Sequence, residues 1–311
     1  MIDTQHTACI GGGTVGASWA ALFLAAGRSV AIHDPAPDVE KRVRGYVESA
    51  WPTMTALGLT DRGSPDGLRF HADIAGAVDG AGFVQESVPE RLALKHATFA
   101  GIEAALAPGA VVSTSASGLT LSQMQPGWRD PAPLVLGHPF NPPHLIPLVE
   151  VMGNDRTGPG IVAAAERFYA DVGKTTIRVK KEVPGHVANR LQAALWREAI
   201  SLVVSGVASV EDVDRAVTAG PGLRWAALGP NMLFNLGAGP GGLGAYIDHF
   251  TDTYNGWWAD MGQVFMGPEV AEKLIAGVAD EARDRSLEML ASERDAMIVA
   301  MQQALRKLAR G

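Results

Sequence analysis

The sequence of 311 residues contains a single cysteine, Cys9, so no disulfide bond can form within the chain. Disulfide-stabilised proteins belong to oxidising compartments, and a chain without such bonds suits a reducing one. The N-terminal residues MIDTQHTACI have no basic segment, and the apolar stretch ASWAALFLAAG after them is too short and too rich in alanine to span a bilayer. We therefore expect a soluble, cytoplasmic protein.

The sequence also lacks an excess of positive charge. Its 26 lysines and arginines are outnumbered by 33 aspartates and glutamates, which leaves a formal net charge of −7. A chain of this charge is a poor partner for nucleic acid or for an anionic membrane. With 47% hydrophobic and 19% charged residues the composition is that of a globular protein, and the length predicts two domains.

A glycine-rich turn lies near the N-terminus. The apolar run TACI at residues 7–10 leads into GGGTVG, and apolar residues at helical spacing follow. A strand, a G-x-G-x-x-G turn and a helix together bind the pyrophosphate of a dinucleotide at the helix N-terminus. The alternative is a glycine-rich turn of some other α/β protein, and the complete βαβ context argues against it. The residues expected to contact the cofactor are Gly11, Gly13, Thr14, Val15 and Gly16.

The second predicted strand, SVAIHD, ends at Asp34, 23 positions after Gly11 (34 − 11). A carboxylate at this place accepts hydrogen bonds from the ribose hydroxyls of the adenosine. No lysine or arginine falls between positions 35 and 40, where a 2′-phosphate would need one. The sequence therefore predicts NAD, in preference to NADP, as the cofactor, and no metal is expected.

Short apolar runs and helical segments alternate through the rest of the first half. The strands are predicted in AGFVQESVPE, GAVVSTSAS and PLVLGHPF, with the helix RLALKHATFAGIEAAL between the first two. This alternation predicts an α/β fold, a doubly wound Rossmann-type sheet that binds NAD over residues 1–183. From about residue 184 the pattern is helical, with a long helix near 187–205, a capped helix after Ser209 and further helices from Pro268. Residues 184–311 are expected to form an all-α domain for substrate binding and dimerisation.

The segment GHPFNPPHLIPLVEV, residues 137–151, places one histidine and one glutamate between two apolar runs. Three of its four prolines interrupt the middle, because proline fixes φ and lacks a backbone donor. We expect strands at residues 134–137 and 148–151 with a rigid link between them. His138 would then end one strand and Glu150 would lie on the next. A histidine held by a carboxylate is suited to general-base catalysis near neutral pH.

The chain resembles the L-3-hydroxyacyl-CoA dehydrogenases and their relatives. The resemblance is carried by GGGTVG, QESVPE with Lys95 after it, STSASGL, GHPFNPP with PLVEV, and VPGHVANRLQ, in the family's order over about three-quarters of the chain. It implies that His138 takes the proton of a secondary alcohol as hydride leaves for NAD, and that Glu150 orients His138. The same resemblance implies that Ser117 and Asn189 hydrogen-bond the reacting oxygen.

Some residues of these motifs have competing interpretations. Ser115 is an alternative to Ser117, but the spacing of the motif relative to His138 favours Ser117. Glu90 and Lys95 match family positions near the cofactor's ribose and nicotinamide, although an exposed pair at a helix start is an alternative interpretation. The remaining histidines have no motif around them and are expected at the surface or in packing; they include His71, His96, His144, His186 and His249.

The sequence departs from the acyl-CoA branch of this family in three features. That branch usually has His-Phe-Phe-Asn-Pro where this chain has HPFNPP, and it carries a lysine-rich hairpin where residues 41–70 hold one lysine. Arg224 and Trp225 lie in GLRWA, and a guanidinium suits a substrate carboxylate. These features resemble the branch that oxidises free 3-hydroxy acids, the L-carnitine dehydrogenases and the L-gulonate 3-dehydrogenases or lambda-crystallins.

The leading hypothesis is an NAD-dependent dehydrogenase of a short free L-3-hydroxy acid, active as a homodimer. A short-chain L-3-hydroxyacyl-CoA dehydrogenase is the second enzyme hypothesis, and a crystallin-type structural protein that binds NADH is the third. Four tryptophans of the helical half, Trp196, Trp225, Trp257 and Trp258, could surround a quaternary ammonium group by cation–π attraction. Core or dimer-interface tryptophans are the alternative interpretation.

Overall fold

A computed structural model describes residues 4–309 of the chain. Within this range eight strands form one sheet: β1 His6–Ile10, β2 Ser29–His33, β3 Leu68–Phe70, β4 Phe83–Glu86, β5 Val111–Thr114, β6 Leu134–Pro139, β7 Leu148–Met152 and β8 Thr175–Arg178. The helices between these strands are α1 Thr14–Ala25, α2 Val39–Ala56, α3 Ile74–Val78, α4 Leu92–Ala105, α5 Leu121–Met124 and α6 Ile161–Asp171.

The part of the chain after the sheet is helical, as predicted. Its helices are α7 Ala188–Val204, α8 Val210–Ala219, α9 Pro221–Ala227, α10 Pro230–Gly237, α11 Gly242–Asp260, α12 Pro268–Ala282 and α13 Leu287–Ala309. The predicted cap of α8 is present, because the Ser209 hydroxyl accepts the backbone N–H of Asp212 at 3.1 Å.

The strand order is β3-β2-β1-β4-β5-β6-β7-β8, and every neighbouring pair is parallel except β6 with β7. A parallel connection needs a crossover of a dozen residues or more, whereas only residues 140–147 join β6 to β7. The link is too short for a crossover helix, so the chain returns antiparallel. This single reversal decides the geometry of the site described below.

Both faces of the sheet are covered by helices, which is the doubly wound arrangement that the sequence predicts. Neighbouring residues of β1 point to opposite faces: Cys9 packs in a cluster with Trp19 of α1 and Phe168 of α6, whereas Ile10 packs in a second cluster with Phe99 of α4. The predicted α/β fold with a helical C-terminal part is therefore confirmed.

Three strands differ from the sequence prediction, among them the short β3, which was not predicted. The strand β6 continues through Pro139, so His138 lies within a strand and not at its end. The strand β8 was not predicted, because none of its four residues is buried and its sequence TTIR lacks an apolar alternation. The helix predicted near residues 187–205 spans Ala188–Val204.

The described residues divide into two compact units. One includes the chain up to Ala188 together with Asp295–Ala304, and the other includes Asn189–Arg294 and the chain from Leu305. The sheet and α1 to α6 belong to the first unit, which we call the sheet unit. The helices α8 to α12 belong to the second, which we call the helical unit.

The glycine-rich turn after β1 requires glycine at two of its positions. Gly11 has a φ of +101°, a conformation that side chains with a Cβ rarely adopt. A Cβ on Gly16 would lie 1.8 Å from the carbonyl oxygen of Gly11. The two glycines let α1 begin directly against the end of β1, which leaves the first N–H groups of α1 directed toward the turn.

Candidate active site

His138 and Glu150 face each other across the antiparallel pair of β6 and β7. They are direct partners in the strand register, and Nδ1 of His138 lies 2.7 Å from Oε2 of Glu150. The histidine is 5% exposed and the glutamate is fully buried. The second oxygen, Oε1, accepts the backbone N–H groups of Val187 at 2.8 Å and Ala188 at 3.0 Å. The structure thus brings the two predicted residues together.

These contacts determine the charge of the carboxylate. Burial by itself would raise the pKa of Glu150, but the hydrogen bonds from His138, Ala188 and Val187 together outweigh it and hold the pKa below its usual value. An ionised carboxylate only accepts, so Nδ1 of His138 carries the hydrogen and Nε2 holds the lone pair. The pair can therefore take up a proton at Nε2 and stabilise the resulting imidazolium.

The proline-rich link between β6 and β7 is fixed by hydrogen bonds with two side chains, Ser18 and Lys174. The Ser18 hydroxyl of α1 accepts the backbone N–H of His144 at 2.9 Å and also contacts its ring. Nζ of Lys174 donates to the carbonyl oxygens of Pro143 at 2.6 Å and Ile146 at 2.5 Å, and lies 5.1 Å from the centre of the Trp19 ring. Both side chains are buried, so the link is anchored to the interior of the sheet unit.

The serines of the STSASGL motif have separate surroundings. The Ser115 hydroxyl belongs to a hydrogen-bonded group with Trp19, Gln85 and Ser87. The Ser117 hydroxyl is half-exposed and donates to Oε1 of Glu90 at 3.2 Å. Both serines are half-buried, so their exposure does not separate the two candidates.

Glu90 and Lys95 do not form the exposed pair that one interpretation of the sequence predicts, and that interpretation is wrong. Lys95 is 1% exposed, and its ammonium donates to both oxygens of Glu86, at 2.8 and 2.7 Å. Its side chain has no exposed face for a cofactor. Glu90 accepts the backbone N–H groups of Ser117 and Gly118 and so shapes the loop at residues 115–119, which we call the Ser117 loop.

The residues at the ends of β1, β2 and β4 fit a bound dinucleotide. They surround a cavity of about 400 Å³ whose lining includes Gly11, Asp34, Pro35, Ile74, Val88 and Thr98. Asp34 accepts the backbone N–H groups of Gly12 at 2.7 Å and Ala36 at 2.9 Å, so one carboxylate is fixed at the end of β2. The exposed Gly13 and Thr14 begin α1, whose N-terminus attracts a pyrophosphate.

The other predicted site residues lie in the helical unit. Asn189 is half-buried in the first turn of α7, and Arg224 and Trp225 lie on α9, where Arg224 is exposed. The core interpretation is wrong for Trp196, Trp257 and Trp258, which are 57%, 58% and 64% exposed, respectively. Trp196 and Trp258 line separate cavities, and neither lining contains a second tryptophan. Neither of these two cavities is therefore a cage of all four tryptophans.

Two buried residues, one at the β6–β7 link and one beside the pair, were given no role by reasoning from the sequence. Lys174 is an isolated lysine before β8, and nothing in its neighbourhood indicates that it is buried. His186 was expected at the surface or in packing; it is buried, and its ring centre lies 5.2 Å from that of His138. Its place directly after Pro184 and Gly185 was the available signal, since this dipeptide favours a turn.

The described residues were also compared with what a membrane-spanning helix and a metal site require. No helix among residues 4–309 is long and apolar enough to cross a membrane. In the same range, no group of three or more histidine, cysteine or acidic side chains is arranged to hold a metal ion.

Two family models match the chain. The NAD binding domain of 3-hydroxyacyl-CoA dehydrogenase matches residues 6–183, and the C-terminal domain of the same enzyme matches residues 185–286. The chain belongs to the 3-hydroxyacyl-CoA dehydrogenase family. The predicted family and the predicted cofactor, NAD, are confirmed, and the protein is an NAD-dependent oxidoreductase that acts on a CH–OH group.

The chain is similar along almost its whole length to L-carnitine dehydrogenases. That of Streptomyces coelicolor is 46% identical over 98% of this chain and 96% of its own length. That of Pseudomonas aeruginosa is 38% identical over 99% of this chain and 96% of its own. Among solved structures, the NAD-dependent dismutase 5-formyl-3-hydroxy-2-methylpyridine 4-carboxylic acid 5-dehydrogenase has a TM-score of 0.83 and 31% identity, with 98% of this chain and 99% of that chain covered.

Lys174 makes the stability of the fold depend on pH. Burial lowers its pKa to about 7, far below the value of an exposed lysine. Between about pH 7 and 10 the unfolded chain holds a proton that the folded chain has released, so the free energy of unfolding rises with pH through this window. Below about pH 7 the folded and unfolded chains both hold the proton, and the increase in the free energy of unfolding is lost. Lys174→Met should remove this dependence, which amounts to roughly 3–5 kcal/mol.

Urea unfolding of wild type and Lys174→Met at pH 6.5, 8 and 9.5 measures the effect. The advantage of wild type should grow with pH. The exposed Lys41 of α2 provides the matched control, since the difference between Lys41→Met and wild type should stay constant. Parallel pH curves for wild type and Lys174→Met would contradict the expectation.

Proposed function

We propose that this protein oxidises the 3-hydroxyl of a free L-3-hydroxy acid with NAD, and that L-carnitine is its substrate. The observation that carries the chemistry is the 2.7 Å contact of His138 with a buried, ionised Glu150. The choice of substrate is supported by the full-length similarity to L-carnitine dehydrogenases. The lysine-poor segment at residues 41–70 supports a free acid over a CoA ester.

His138 would act as the general base. Bound NAD supplies an acceptor for the hydride that leaves C3 of the substrate. Nε2 of His138 takes the proton of the 3-hydroxyl in the same step, and Nδ1 keeps its hydrogen bond to Glu150. The negative charge of Glu150 then stabilises the imidazolium, and the N–H groups of Val187 and Ala188 keep that carboxylate ionised.

Ser117 and Asn189 are proposed to hydrogen-bond the reacting oxygen. A hydroxyl and an amide can each donate to an oxygen whose negative charge increases as its proton leaves. The half-exposed Ser117 hydroxyl and its place in the loop that follows β5 support this role. Asp34 is proposed to accept the ribose hydroxyls, because its carboxylate ends β2 at the edge of the cavity described above.

The test of this function is turnover of a panel with NAD: L-carnitine, L-gulonate, L-3-hydroxybutyrate and L-3-hydroxybutyryl-CoA. L-carnitine should have the highest kcat/KM. His138→Ala should lose about 100-fold or more in kcat, because a positioned base contributes on that scale, while NADH binding is retained. Glu150→Gln should act in the same direction, since the imidazolium loses its counter-charge.

Each alternative has its own outcome in this panel. Faster turnover of the CoA ester than of any free acid would replace the proposal with a 3-hydroxyacyl-CoA dehydrogenase. Binding of NADH without turnover of any substrate would indicate a structural protein of the crystallin type. Near-normal turnover in His138→Ala would remove the mechanism while leaving the substrate assignment intact.

Arg224 is proposed to bind the substrate carboxylate, with Trp225 beside it. Its guanidinium is exposed on α9, and among residues 4–309 it forms no ion pair with a carboxylate. A two-pronged hydrogen bond to a carboxylate contributes roughly 1.5–3 kcal/mol. Arg224→Met should therefore raise KM for L-carnitine at least about tenfold, and Arg224→Lys should recover only part of this loss.

The alternative role for Arg224 is structural, because it lies in the last turn of α9, where a cation interacts favourably with the helix dipole. Steady-state kinetics and thermal unfolding of the two variants separate the two roles. A lower melting temperature with an unchanged KM would assign Arg224 to the helix and contradict the carboxylate contact.

We also propose that the protein is a homodimer joined through its helical unit. Large apolar side chains of this unit are exposed in the single chain, among them Leu191 at 64%, Leu236 at 59% and Ile275 at 70%. Exposed apolar surface of this kind marks an interface more often than free surface. Light scattering at micromolar concentration should give twice the chain mass, whereas a mass of 32.6 kDa would contradict the dimer.

A further inference from the structure

The turn before α7 contains a buried histidine to which the mechanism assigns no role. His186 is 1% exposed, and its φ of +49° lies in the left-handed region. Residues other than glycine are uncommon there, although histidine is enriched among them. Such a conformation persists only where the surrounding structure maintains it. The position of this ring therefore results from specific contacts.

The ring of His186 connects two parts of the site. Its Nε2 lies 3.2 Å from the carbonyl oxygen of Ala116, the residue before Ser117. Its centre lies 5.2 Å from the centre of the His138 ring. The residues after His186 are Val187 and Ala188, whose N–H groups bind Glu150. One short turn thus contacts both the Ser117 loop and the His138–Glu150 pair.

The contacts determine the protonation of the ring. A carbonyl oxygen only accepts, so Nε2 of His186 carries the hydrogen, and the neutral ring has its lone pair on Nδ1. Nδ1 is buried and has no hydrogen-bond partner among the described residues. A second hydrogen at Nδ1 would therefore be buried without an acceptor, which is costly.

The charges around the ring act on the same equilibrium. Burial lowers the pKa of His186, and so does the positive charge of a protonated His138. The hydrogen bond to the Ala116 carbonyl and the negative charges of Glu150 and Glu90 raise the pKa, but by less. The net direction is downward, so the ring is uncharged near neutral pH. An uncharged neighbour leaves His138 free to accept the proton of the substrate.

We propose that His186 is a positioning residue whose uncharged ring holds the Ser117 loop in register with the His138–Glu150 pair. The inference rests on the proposed function, because it concerns the two side chains that would contact one reacting oxygen. Its contribution is the Nε2–H···O hydrogen bond to Ala116. This bond couples the Ser117 loop to the turn whose backbone N–H groups, at Val187 and Ala188, donate to Glu150. The loop and the turn then move together.

Three substitutions separate the ring's hydrogen bond from its backbone conformation. His186→Gln keeps an N–H donor near the position of Nε2, whereas His186→Asn places its amide near Nδ1 and tolerates a positive φ better. His186→Phe keeps a ring without a donor. Gln should retain at least about half of the wild-type kcat, and Asn and Phe should lower kcat about five- to tenfold, the effect of one hydrogen bond. KM for NAD should be unchanged in all three.

His96→Phe is the matched control, because Nε2 of His96 also bonds a backbone carbonyl, that of Gln123 at 2.9 Å, away from the pair. It should keep wild-type kcat. If His186 has only a structural role, Asn will be the best substitute, melting temperatures will fall and kcat will not change; that pattern overturns the proposal. An acid limb of the pH profile that moves upward in His186→Phe would also overturn it, since that shift requires a charged ring in wild type.

A second readout does not depend on turnover. Long-range ¹H–¹⁵N spectra of the wild-type histidines should show His186 as a neutral ring near pH 7 with its hydrogen on Nε2, and its pKa should lie below that of an ordinary histidine. A pKa at or above the ordinary value, or a hydrogen on Nδ1 of the neutral ring, contradicts the proposal, whichever substrate the panel identifies. Absence of turnover with a neutral Nε2–H ring would instead refute the proposed function and leave this tautomer established.

Discussion

The buried carboxylate of Glu150 is the group on which the rest of the site depends. A carboxylate without solvent remains ionised only where hydrogen bonds replace the lost water. Here the ring of His138 supplies one bond, and the backbone of Val187 and Ala188 supplies two more. Three separate segments of the chain, namely β6, β7 and the turn before α7, must therefore lie in contact. The charge state of Glu150 then determines which nitrogen of His138 is free to act as a base.

The reversal of direction between β6 and β7 makes this contact possible. In an antiparallel pair, residues directly opposite each other project to the same face of the sheet, and their side chains meet. The link at residues 140–147 is short and rich in proline, and Ser18 and Lys174 support it from the core. Lys174 is buried and forms no ion pair among residues 4–309, so it is a costly support, and it makes the stability of the fold sensitive to pH.

Chemistry and selectivity come from different parts of the chain in the proposed function. The base, its carboxylate and the dinucleotide cavity lie in the sheet unit, whereas Arg224 and the exposed aromatic side chains lie in the helical unit. The similarity to L-carnitine dehydrogenases extends over both parts, and so does the match to the family models.

The sequence alone determined the doubly wound fold, the NAD-binding turn, the helical second half and the identity of the His138–Glu150 pair, because periodicity and short motifs are local properties. It did not reveal β8, whose residues are not buried, or the pairing of Lys95 with Glu86. Nor did it reveal that Lys174 is buried, or decide whether His186 lies at the surface or in packing. These features depend on which segments meet across the sheet, at separations such as the 31 positions between Pro143 and Lys174. Only the tertiary structure decides such contacts, since burial and hydrogen-bond partners are set by residues distant in the chain.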